Sequence, residues 1–408
     1  MRETSELYRH LLGLRKPWLV DRVALDAQAQ RVDVWVEHPE RQKFPCPECG
    51  ILLSVYDHTP ERVWQHLDSC AFRTFLRARP PRVKCSKHGV LQADLPWSEP
   101  NSRFTCAFEV KAIDVLRETH TMGASAILDI SWDHAWHIME KAVERGRQRK
   151  HLQNIEYLGV DEKAIAKGHK YVTIVCNLGT GAVEFVGYER RAETLDAFFV
   201  ALSPTQKQGI RAIALDMFEP FMKSIRAHVP GAESKMVFDR FHVMKHVGKA
   251  VDDVRKQENR QLVKDGNDVL KGSKYLWLHS YENLSTAQCA RFDDLRRMDL
   301  KTSRAWAIKE NLRHLWECTS LPEAEEHLQR WYIWATHSKL EPIIKAAKTV
   351  KNHAENILTF VKHRITNALA EGINSKIQTI KQMAHGFRNR EHFRTAIYFH
   401  CGALDMYP

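Results

Sequence analysis

A succession of short apolar segments between residues 157 and 238 most constrains the fold of this chain. The segments are rich in β-branched and aromatic residues and have the length of strands. They lie at Tyr157–Val160, Tyr171–Leu178, Ala182–Tyr188, Ile210–Leu215 and Lys235–Phe238, with helices predicted from near Glu193 and over Phe218–His228. Three consecutive strands therefore precede an alternation of helix and strand. This order predicts a mixed sheet in an α/β domain.

Two aspartates stand where strands of this sheet are expected to end. Asp161 follows the segment Tyr157–Val160, and Asp216 follows Ile210–Leu215. If the first and fourth strands are neighbours, the two carboxylates lie close together, and like charges at that distance require a neutralising cation. Oxygen ligands favour Mg²⁺ or Mn²⁺. For either aspartate alone, a solvated turn acid is the ordinary interpretation.

The chain beyond the sheet is predicted to be helical. A long helix is expected from Phe241, and residues 255–350 have the pattern of an all-α insertion. The tryptophans of this insertion are interpreted as core residues rather than as base-stacking groups. They are Trp277, Trp306, Trp316, Trp331 and Trp334.

A third acid is expected from a helix that packs against the sheet. In the segment Arg364–Lys376, Glu371, Asn374 and Ser375 share a helical face at spacings of three and four residues. The surrounding stretch Ile343–Arg394 carries ten Lys and Arg against three acids. A nucleic-acid phosphate is attracted to such a surface. Glu355 is the next acid to consider if Glu371 is only a solvated helix residue.

A cysteine-bearing module precedes the sheet. Cys46-Pro-Glu-Cys49-Gly and Cys85-Ser-Lys-His88-Gly repeat the same spacing and the same trailing glycine. A turn of this kind places two ligands on one side, so Cys46, Cys49, Cys85 and His88 predict a closed, structural zinc site. Nine cysteines, an odd number, suit reduced thiols better than a disulfide framework. Residues between the two halves are alternative ligands, namely His58, His66 and Cys70.

Residues 104–150 predict three helices. The second, Ser125–Asp129, is short, and Ser131 is a candidate N-cap of a third helix that starts at Trp132. This is the layout of a helix-turn-helix, whose last helix enters a DNA major groove. Basic residues at its end are then expected to contact phosphates, namely Arg145, Arg147, Arg149 and Lys150. The alternative is a helical bundle with a solvated basic end.

The composition favours a soluble protein with a polyanionic partner. The net charge is +11, and nucleic acid is the leading candidate partner. Apolar runs are shorter than the roughly 18 residues of a membrane span, and the first residues do not form a signal peptide. A cytoplasmic location is expected, with nucleoid association when the protein is bound to DNA.

Motifs spread from residue 46 to residue 389 carry a family resemblance. They are Cys46–Gly50, Lys84–Val90, Leu95–Phe104, Leu158–Glu162, Leu215–Met217, Phe238–His242, Glu371–Asn374 and Gly386–Asn389. In these the chain resembles the DDE transposases of bacterial insertion sequences, specifically the ISL-three group. The resemblance implies a ribonuclease-H-like mixed sheet with an all-α insertion, preceded by a zinc-binding module and a helix-turn-helix.

The same resemblance implies a set of functional residues. Asp161, Asp216 and Glu371 are the expected catalytic acids and ligands of Mg²⁺ (or Mn²⁺), beside the structural Zn²⁺. Asp239 and His242 resemble an auxiliary Asp-x-x-His element, although His242 would equally suit a capping or packing role. Further DNA contacts are predicted at Asn374, Lys376, Lys381 and Arg388. His88 stands where many relatives have Cys, and Gln382 where they often have a basic residue.

These inferences predict a transposase that binds the terminal inverted repeats of its insertion sequence and performs metal-dependent cleavage and strand transfer. Its partners would be terminal-repeat and target duplex DNA, and a second copy in a homodimer. The predicted domains are 1–103 with the zinc module, 104–150 with the helix-turn-helix, 151–254 and 351–408 as the catalytic domain, and 255–350 as the insertion. One alternative is a nuclease or resolvase without strand transfer. Another is a non-catalytic zinc-finger regulator that binds DNA.

Overall fold

The computed structural model describes residues 2–150, 155–166 and 170–408, and the chain forms two compact units. The first unit comprises Met1–His151, Gln382–His400 and Leu404–Pro408, and the second comprises Leu152–Lys381 and Cys401–Ala403. From the sequence, all of residues 351–408 are predicted to belong to the catalytic domain. Most of the chain after Lys381 instead packs with the N-terminal residues.

The first unit opens with a helix and two small sheets. Their elements are α1 (Arg2–Leu11), β1 (Leu19–Asp26), β2 (Arg31–Glu37), β3 (Lys43–Pro45), β4 (Leu52–His58), β5 (Arg62–Gln65), β6 (Arg73–Ala78), β7 (Pro81–Cys85) and β8 (Gly89–Gln92). The strand orders are β1-β2-β6-β5 and β3-β4-β7-β8. Alternation along β2 buries Val32, Val34 and Val36 on one face of the sheet. Trp18 and Trp64 both pack edge-on against Trp97 in the core of these sheets.

Three helices follow in the first unit. They are α2 (Cys106–Glu118), α3 (Thr121–Leu128) and α4 (Trp132–Arg149). The Ser131 hydroxyl accepts the His134 N–H and caps α4, at the residue predicted for this role. α3 is longer than predicted, because His120 Nδ1 accepts the Gly123 N–H and lets the helix begin at Thr121. Histidine is not among the strong N-cap residues, so the start of α3 has no clear signal in the sequence.

The second unit is built on a five-stranded mixed sheet. Its first elements are β9 (Tyr157–Ala166), β10 (Lys170–Asn177), β11 (Ala182–Tyr188), α5 (Ala192–Val200), α6 (Pro204–Gly209), β12 (Ala212–Leu215), α7 (Glu219–His228) and β13 (Met236–Phe238). The order is β11-β10-β9-β12-β13, in which β12 runs parallel to both β9 and β13. The first and fourth strands are therefore neighbours. β9 does not end before Asp161 as predicted, because its antiparallel pairing with β10 extends it to Ala166.

Helices make up the rest of the second unit. They are α8 (Arg240–Lys264), α9 (Lys274–Leu278), α10 (Thr286–Arg297), α11 (Lys301–Arg313), α12 (Leu321–Thr336), α13 (Glu341–Asn352), α14 (Ala354–His363) and α15 (Ala368–Met383). Their core is continuous with that of the sheet. Trp277, Trp316 and Trp331 are buried and Trp306 is half-buried, as expected for core residues, whereas Trp334 is 45% exposed.

The chain returns to the first unit after α15. The helix α16 (Arg390–Cys401) places His392 against the ring of Trp136, with centroids 4.3 Å apart. The tail that follows buries Leu404 and Met406. A side chain at Gly146 of α4 would come within 2.6 Å of Leu404 Cβ, so glycine is required for this close approach. The tail thus forms part of the helical region of the first unit.

No helix in the described ranges is both long enough and apolar enough to cross a membrane.

Candidate active site and zinc site

The strand register brings two aspartates together. Gly159 of β9 pairs with Ala214 of β12 in parallel, so Asp161 and Asp216 both stand two residues beyond that pair. Residues two apart along a strand face the same side. Carboxylate oxygens of Asp161, Glu162 and Asp216 lie within 4.8 Å of one another. The structure therefore places both predicted acids in one carboxylate group and adds Glu162 to it.

Asp161 is fixed and buried, with only 8% of its surface exposed. Its Oδ1 accepts the Glu162 N–H at 2.8 Å, and its Oδ2 accepts from Asn374 Nδ2 at 2.6 Å. Burial raises the pKa of Asp161 to about 6; the negative charges of Asp216 and Glu371 add to this rise, while the Glu162 N–H and His242 oppose it. The carboxyl is oriented, but its charge is poorly compensated by the protein.

Asp239 and His242 open α8 beside the sheet. Asp239 caps the helix by accepting the Phe241 N–H, and its other oxygen accepts the Asn367 N–H at 2.9 Å. His242 Nδ1 lies 2.8 Å from Asp216 Oδ2. Burial lowers the pKa of His242, but the hydrogen bond to Asp216 and the neighbouring carboxylates outweigh it, and the pKa is raised overall. His242 thus contacts a predicted catalytic acid, and its role is more than packing beside the helix.

Glu371 lies in a second group of ligands on an exposed part of α15. Its carboxylate lies within 4.8 Å of ligand atoms of both Asp239 and His242. Asp161, Asp216 and Glu371 do not form one such mutual group. The two groups instead adjoin through the contact between His242 and Asp216.

Glu162 is a member of the site that was not predicted from the sequence. Its carboxylate accepts from Arg190 Nη2 at 2.8 Å, and the Arg190 guanidinium stacks 3.6 Å from the Phe218 ring. Burial raises the pKa of Glu162 to about 7, with Arg190 lowering it and Asp216 and Asp161 raising it.

The donor set fits a hard divalent cation. Asp216 Oδ1, Glu162 Oε2 and Asn374 Oδ1 are buried and lack a hydrogen-bond partner within the described part of the chain. Buried oxygens without partners are costly unless a ligand satisfies them. Carboxylate and amide oxygens are the ligands that Mg²⁺ and Mn²⁺ prefer. The residues present therefore suit the metal inferred from the sequence.

The acids open onto a cleft of about 1230 Å³. Asp216, Asp239, His242 and Glu371 lie in its wall. The remaining wall is rich in cations, namely Arg190, Arg240, Lys245, Lys249, Lys274, Lys309 and Arg313. Lys309 is held internally, because its ammonium donates to the Trp277 and Leu278 carbonyls. Positive walls around a carboxylate centre suit a phosphodiester substrate.

Two of the residues predicted to contact DNA from α15 make internal contacts instead. Asn374 donates to Asp161, and Lys381 Nζ donates to the Ile165 carbonyl at 2.6 Å. Lys376 and Arg388 have exposed side chains. Glu355, the alternative third acid, lines a separate cavity with Arg226 and Glu233.

The basic end of α4 also differs from its prediction. Arg145 is 9% exposed and ion-paired with Glu99 at 2.5 Å and with Glu109 at 3.2 Å. It also donates to the Met406 carbonyl. These contacts make Arg145 a structural residue, which is a correction to its predicted role at phosphates.

The neighbours of Arg145 in sequence are more accessible. Arg147 is exposed and lies 4.7 Å from the Tyr398 ring, and Arg149 is exposed and pairs with Asp405 at 3.3 Å. Lys150 is half-buried. Their predicted phosphate contacts remain predictions.

The four predicted zinc ligands converge at the ends of two hairpins. Cys46 and Cys49 lie between β3 and β4, while Cys85 is the last residue of β7 and His88 lies in the turn before β8. Cys49 Sγ is 3.8 Å from Cys85 Sγ, and His88 Nδ1 is 3.7 Å from Cys46 Sγ and 3.6 Å from Cys85 Sγ. Ligands of one tetrahedral zinc are separated by about this distance. The arrangement supports a structural Cys3His zinc site.

The alternative zinc ligands do not belong to this cluster. His58 stacks on His38 with centroids 5.1 Å apart, and His66 Nδ1 lies 2.8 Å from Thr105 Oγ1. Cys70 is an exposed free thiol.

Comparison with known proteins identifies both regions. Residues 158–397, more than half of the chain, match the family model for the transposase of ISL3 elements. Residues 42–88 match the zinc finger of the transposases of IS204, IS1001, IS1096 and IS1165.

Whole-length relatives give the same result. The chain is 29% identical to the transposase for insertion sequence element IS1001 of Bordetella parapertussis over 360 residues, which is 87% of this chain and 88% of that protein. It is 25% identical to the transposase for insertion sequence element IS1557 of Mycobacterium tuberculosis over 418 residues, which is 94% of this chain and 92% of that protein.

Proposed function

Because the chain belongs to the ISL3 family of insertion-sequence transposases, we propose that it cleaves DNA at the ends of its element and joins them to target DNA by DDE-type chemistry. The observation that carries the proposal is the register that sets Asp161 beside Asp216, with His242 linking them to Glu371. The order of the five strands supports a ribonuclease-H-like catalytic domain.

The residues that would hold Mg²⁺ or Mn²⁺ are Asp161, Asp216 and Glu371, with Glu162 as a further oxygen donor. The chemistry that such bound cations supply is activation of water, or of a freed 3′-hydroxyl, together with charge stabilisation on the leaving oxygen. Three carboxylates with one neighbouring histidine and one arginine are otherwise undercompensated in charge.

The chain's own residues orient the acids and the substrate. Asn374 and the Glu162 N–H hold Asp161 in one rotamer, while His242 fixes Asp216 from the start of α8. Preorganised carboxylates avoid a reorganisation cost during an in-line displacement. Cations in the cleft wall, such as Lys245 and Lys274, would hold the DNA backbone near these acids.

The first unit would select the DNA. We assign repeat recognition to α2–α4 as a helix-turn-helix, with α4 in the major groove and Arg147 available to phosphate. The zinc module would stabilise the same unit through its two hairpins. A homodimer would pair two element ends, as the two ends of one element require.

A strand-transfer assay separates the proposed transposase from its two alternatives. Duplexes carrying the ends that flank the gene, incubated with the protein and Mg²⁺, should yield products joined to a target plasmid. A nuclease or resolvase would leave cleaved ends without joined product. For a non-catalytic regulator, Asp161→Ala would change no measured activity.

A further inference from the structure

One face of α8 carries cations from the active-site cleft into a second cavity. His242 contacts Asp216 at the start of the helix, and Lys245 lines the 1230 Å³ cleft. His246 and Lys249 line both this cleft and a separate groove of about 440 Å³. Because the two cavities share these residues, the groove adjoins the cleft along α8.

The groove presents more positive than negative charge. Its cations are Lys249, Lys256, Arg260 and Lys345, its acids are Asp253 and Glu341, and His246 completes its ionisable lining. Lys256 forms ion pairs with both Asp252 and Asp253, and Lys345 Nζ lies 3.6 Å from the Glu341 carboxylate. Lys249 and Arg260 are exposed and have no ion-pair partner within residues 2–150, 155–166 and 170–408. Uncompensated cations in a groove attract a polyanion.

The spacing of these residues defines a straight path away from the acids. Lys249, Lys256 and Arg260 are separated by seven and four residues, which keeps them on one side of the helix. From His242 to Arg260 an α-helix rises about 27 Å. That distance corresponds to about eight base pairs of B-form DNA.

We propose that duplex DNA on one side of the scissile phosphate lies along this face, with its backbone bound by Lys249, Arg260 and Lys345. The proposal rests on the proposed catalytic site, because the path starts at His242 and Asp216. A duplex is the occupant that this path favours, since the groove adjoins the cleft that would hold the phosphodiester and its exposed cations attract a polyanion.

The test uses a triple variant of the full chain and a matched control. Lys249→Gln, Arg260→Gln and Lys345→Gln remove three cations from the path and keep side chains of similar polarity. Lys207→Gln, Lys223→Gln and Arg297→Gln remove two lysines and one arginine outside both cavities. Thermal unfolding of both variants establishes that each remains folded.

The substrates differ in length on either side of the cleavage point. Duplexes carrying one element end extend about 15 base pairs on both sides, or are shortened to about 3 base pairs on one side or the other. The path variant should cleave the long duplex about tenfold more slowly than the wild type, because it loses about three phosphate contacts. Shortening one side, and only that side, should abolish the difference. The control variant should match the wild type on every duplex.

Equilibrium binding supplies a readout that does not need cleavage. For the long duplex, the slope of log affinity against log salt should become less steep by about 2.7 in the path variant. The duplex shortened on the side that would lie along α8 should show no such change. Equal slopes for wild type and path variant would overturn the proposal, as would an equal loss of cleavage on long and short duplexes. If the wild type itself cleaves no duplex, the proposed function fails, and the slopes still decide the path.

Discussion

Individual side chains in the active site are held by contacts from distant parts of the chain. Asp161 on β9 is oriented by Asn374 on α15, and Asp216 after β12 is oriented by His242 on α8. Asp161 and Asp216 were predictable from their places after apolar segments. Glu162 and the internal roles of Asn374 and Arg145 were not, because each depends on a partner that folding brings near.

Glu162 should contribute to metal affinity. Glu162→Gln keeps the shape of the side chain and an acceptor for Arg190, but removes one carboxylate charge from the group with Asp161 and Asp216. Mn²⁺ affinity measured by calorimetry should fall about 10- to 100-fold. Lys223→Gln serves as a surface control. Unchanged Mn²⁺ affinity would show that Glu162 serves only to bind Arg190.

His66 should make the first unit sensitive to acid. Burial lowers its pKa to about 4, so the unfolded chain takes up this proton first as pH falls below about 6.5. The contribution of His66 to the free energy of unfolding is therefore fully present above about pH 6.5 and is lost as pH falls from about 6.5 towards 4. Between pH 7.5 and 5 the loss is about 2 kcal/mol.

The measurement compares urea unfolding of the wild type and His66→Gln at both pH values. The variant should lose about 2 kcal/mol less stability than the wild type on going to pH 5, because it lacks the titrating group. Zinc release at low pH affects both proteins and cancels in the comparison. Identical pH dependence of the two proteins would mean that His66 takes up its proton at the same pH in the folded and the unfolded chain.

At the level of elements, features that depend on local sequence were easier to predict than features that depend on pairing with another strand. The hairpin strand Ala182–Tyr188 and the Ser131 cap follow from local chemistry, and both lie where predicted. β9 runs past Asp161 because β10 pairs with it, and pairing between strands is not visible in local sequence. α15 could be predicted as a helix, but the position of its exposed Glu371 beside His242 could not, because it depends on where folding places α15 relative to α8.

The two zinc hairpins should depend on metal. Cys46→Ser combined with Cys85→Ser removes one ligand from each hairpin, and the free energy of zinc binding is also folding free energy for such modules. Metal analysis should find about one zinc per chain in the wild type and none in the variant. Cys70→Ser is the matched control, since this thiol is exposed and outside the cluster. Full zinc in the double variant would refute the assigned ligands.

At the level of the whole molecule, the first unit is discontinuous in sequence. The tail after α16 buries Leu404 and Met406, and Tyr407 hydroxyl donates to Asp114 at 2.7 Å. Arg149 Nη1 donates to the Tyr407 carbonyl at 2.5 Å. Contacts between residues more than 250 positions apart have no local sequence signal, and for this reason the packing of Leu404–Pro408 with the N-terminal residues could not be predicted from sequence alone.

Removal of Leu404–Pro408 should destabilise the first unit by about 4 kcal/mol, because it empties the sites of Leu404 and Met406 and removes the Met406 carbonyl that accepts from Arg145. Hydrogen exchange of the α4 amides should accelerate, and binding to terminal-repeat DNA should weaken. Removal of Pro408 alone is the control. Unchanged α4 protection in the longer deletion would show that residues 2–150 fold independently of the tail.

We propose that Asp161, Asp216 and Glu371 act together in one metal-dependent catalytic centre. The most direct test is the single-turnover rate of strand cleavage at an element end, in Mg²⁺, for the wild type, Asp161→Asn and Glu371→Gln. Both variants should bind the same DNA at least as tightly as the wild type, because each loses one negative charge near phosphate. Each should cleave on the order of a thousandfold more slowly. Cleavage by either variant at nearly the wild-type rate would contradict the assignment of that acid.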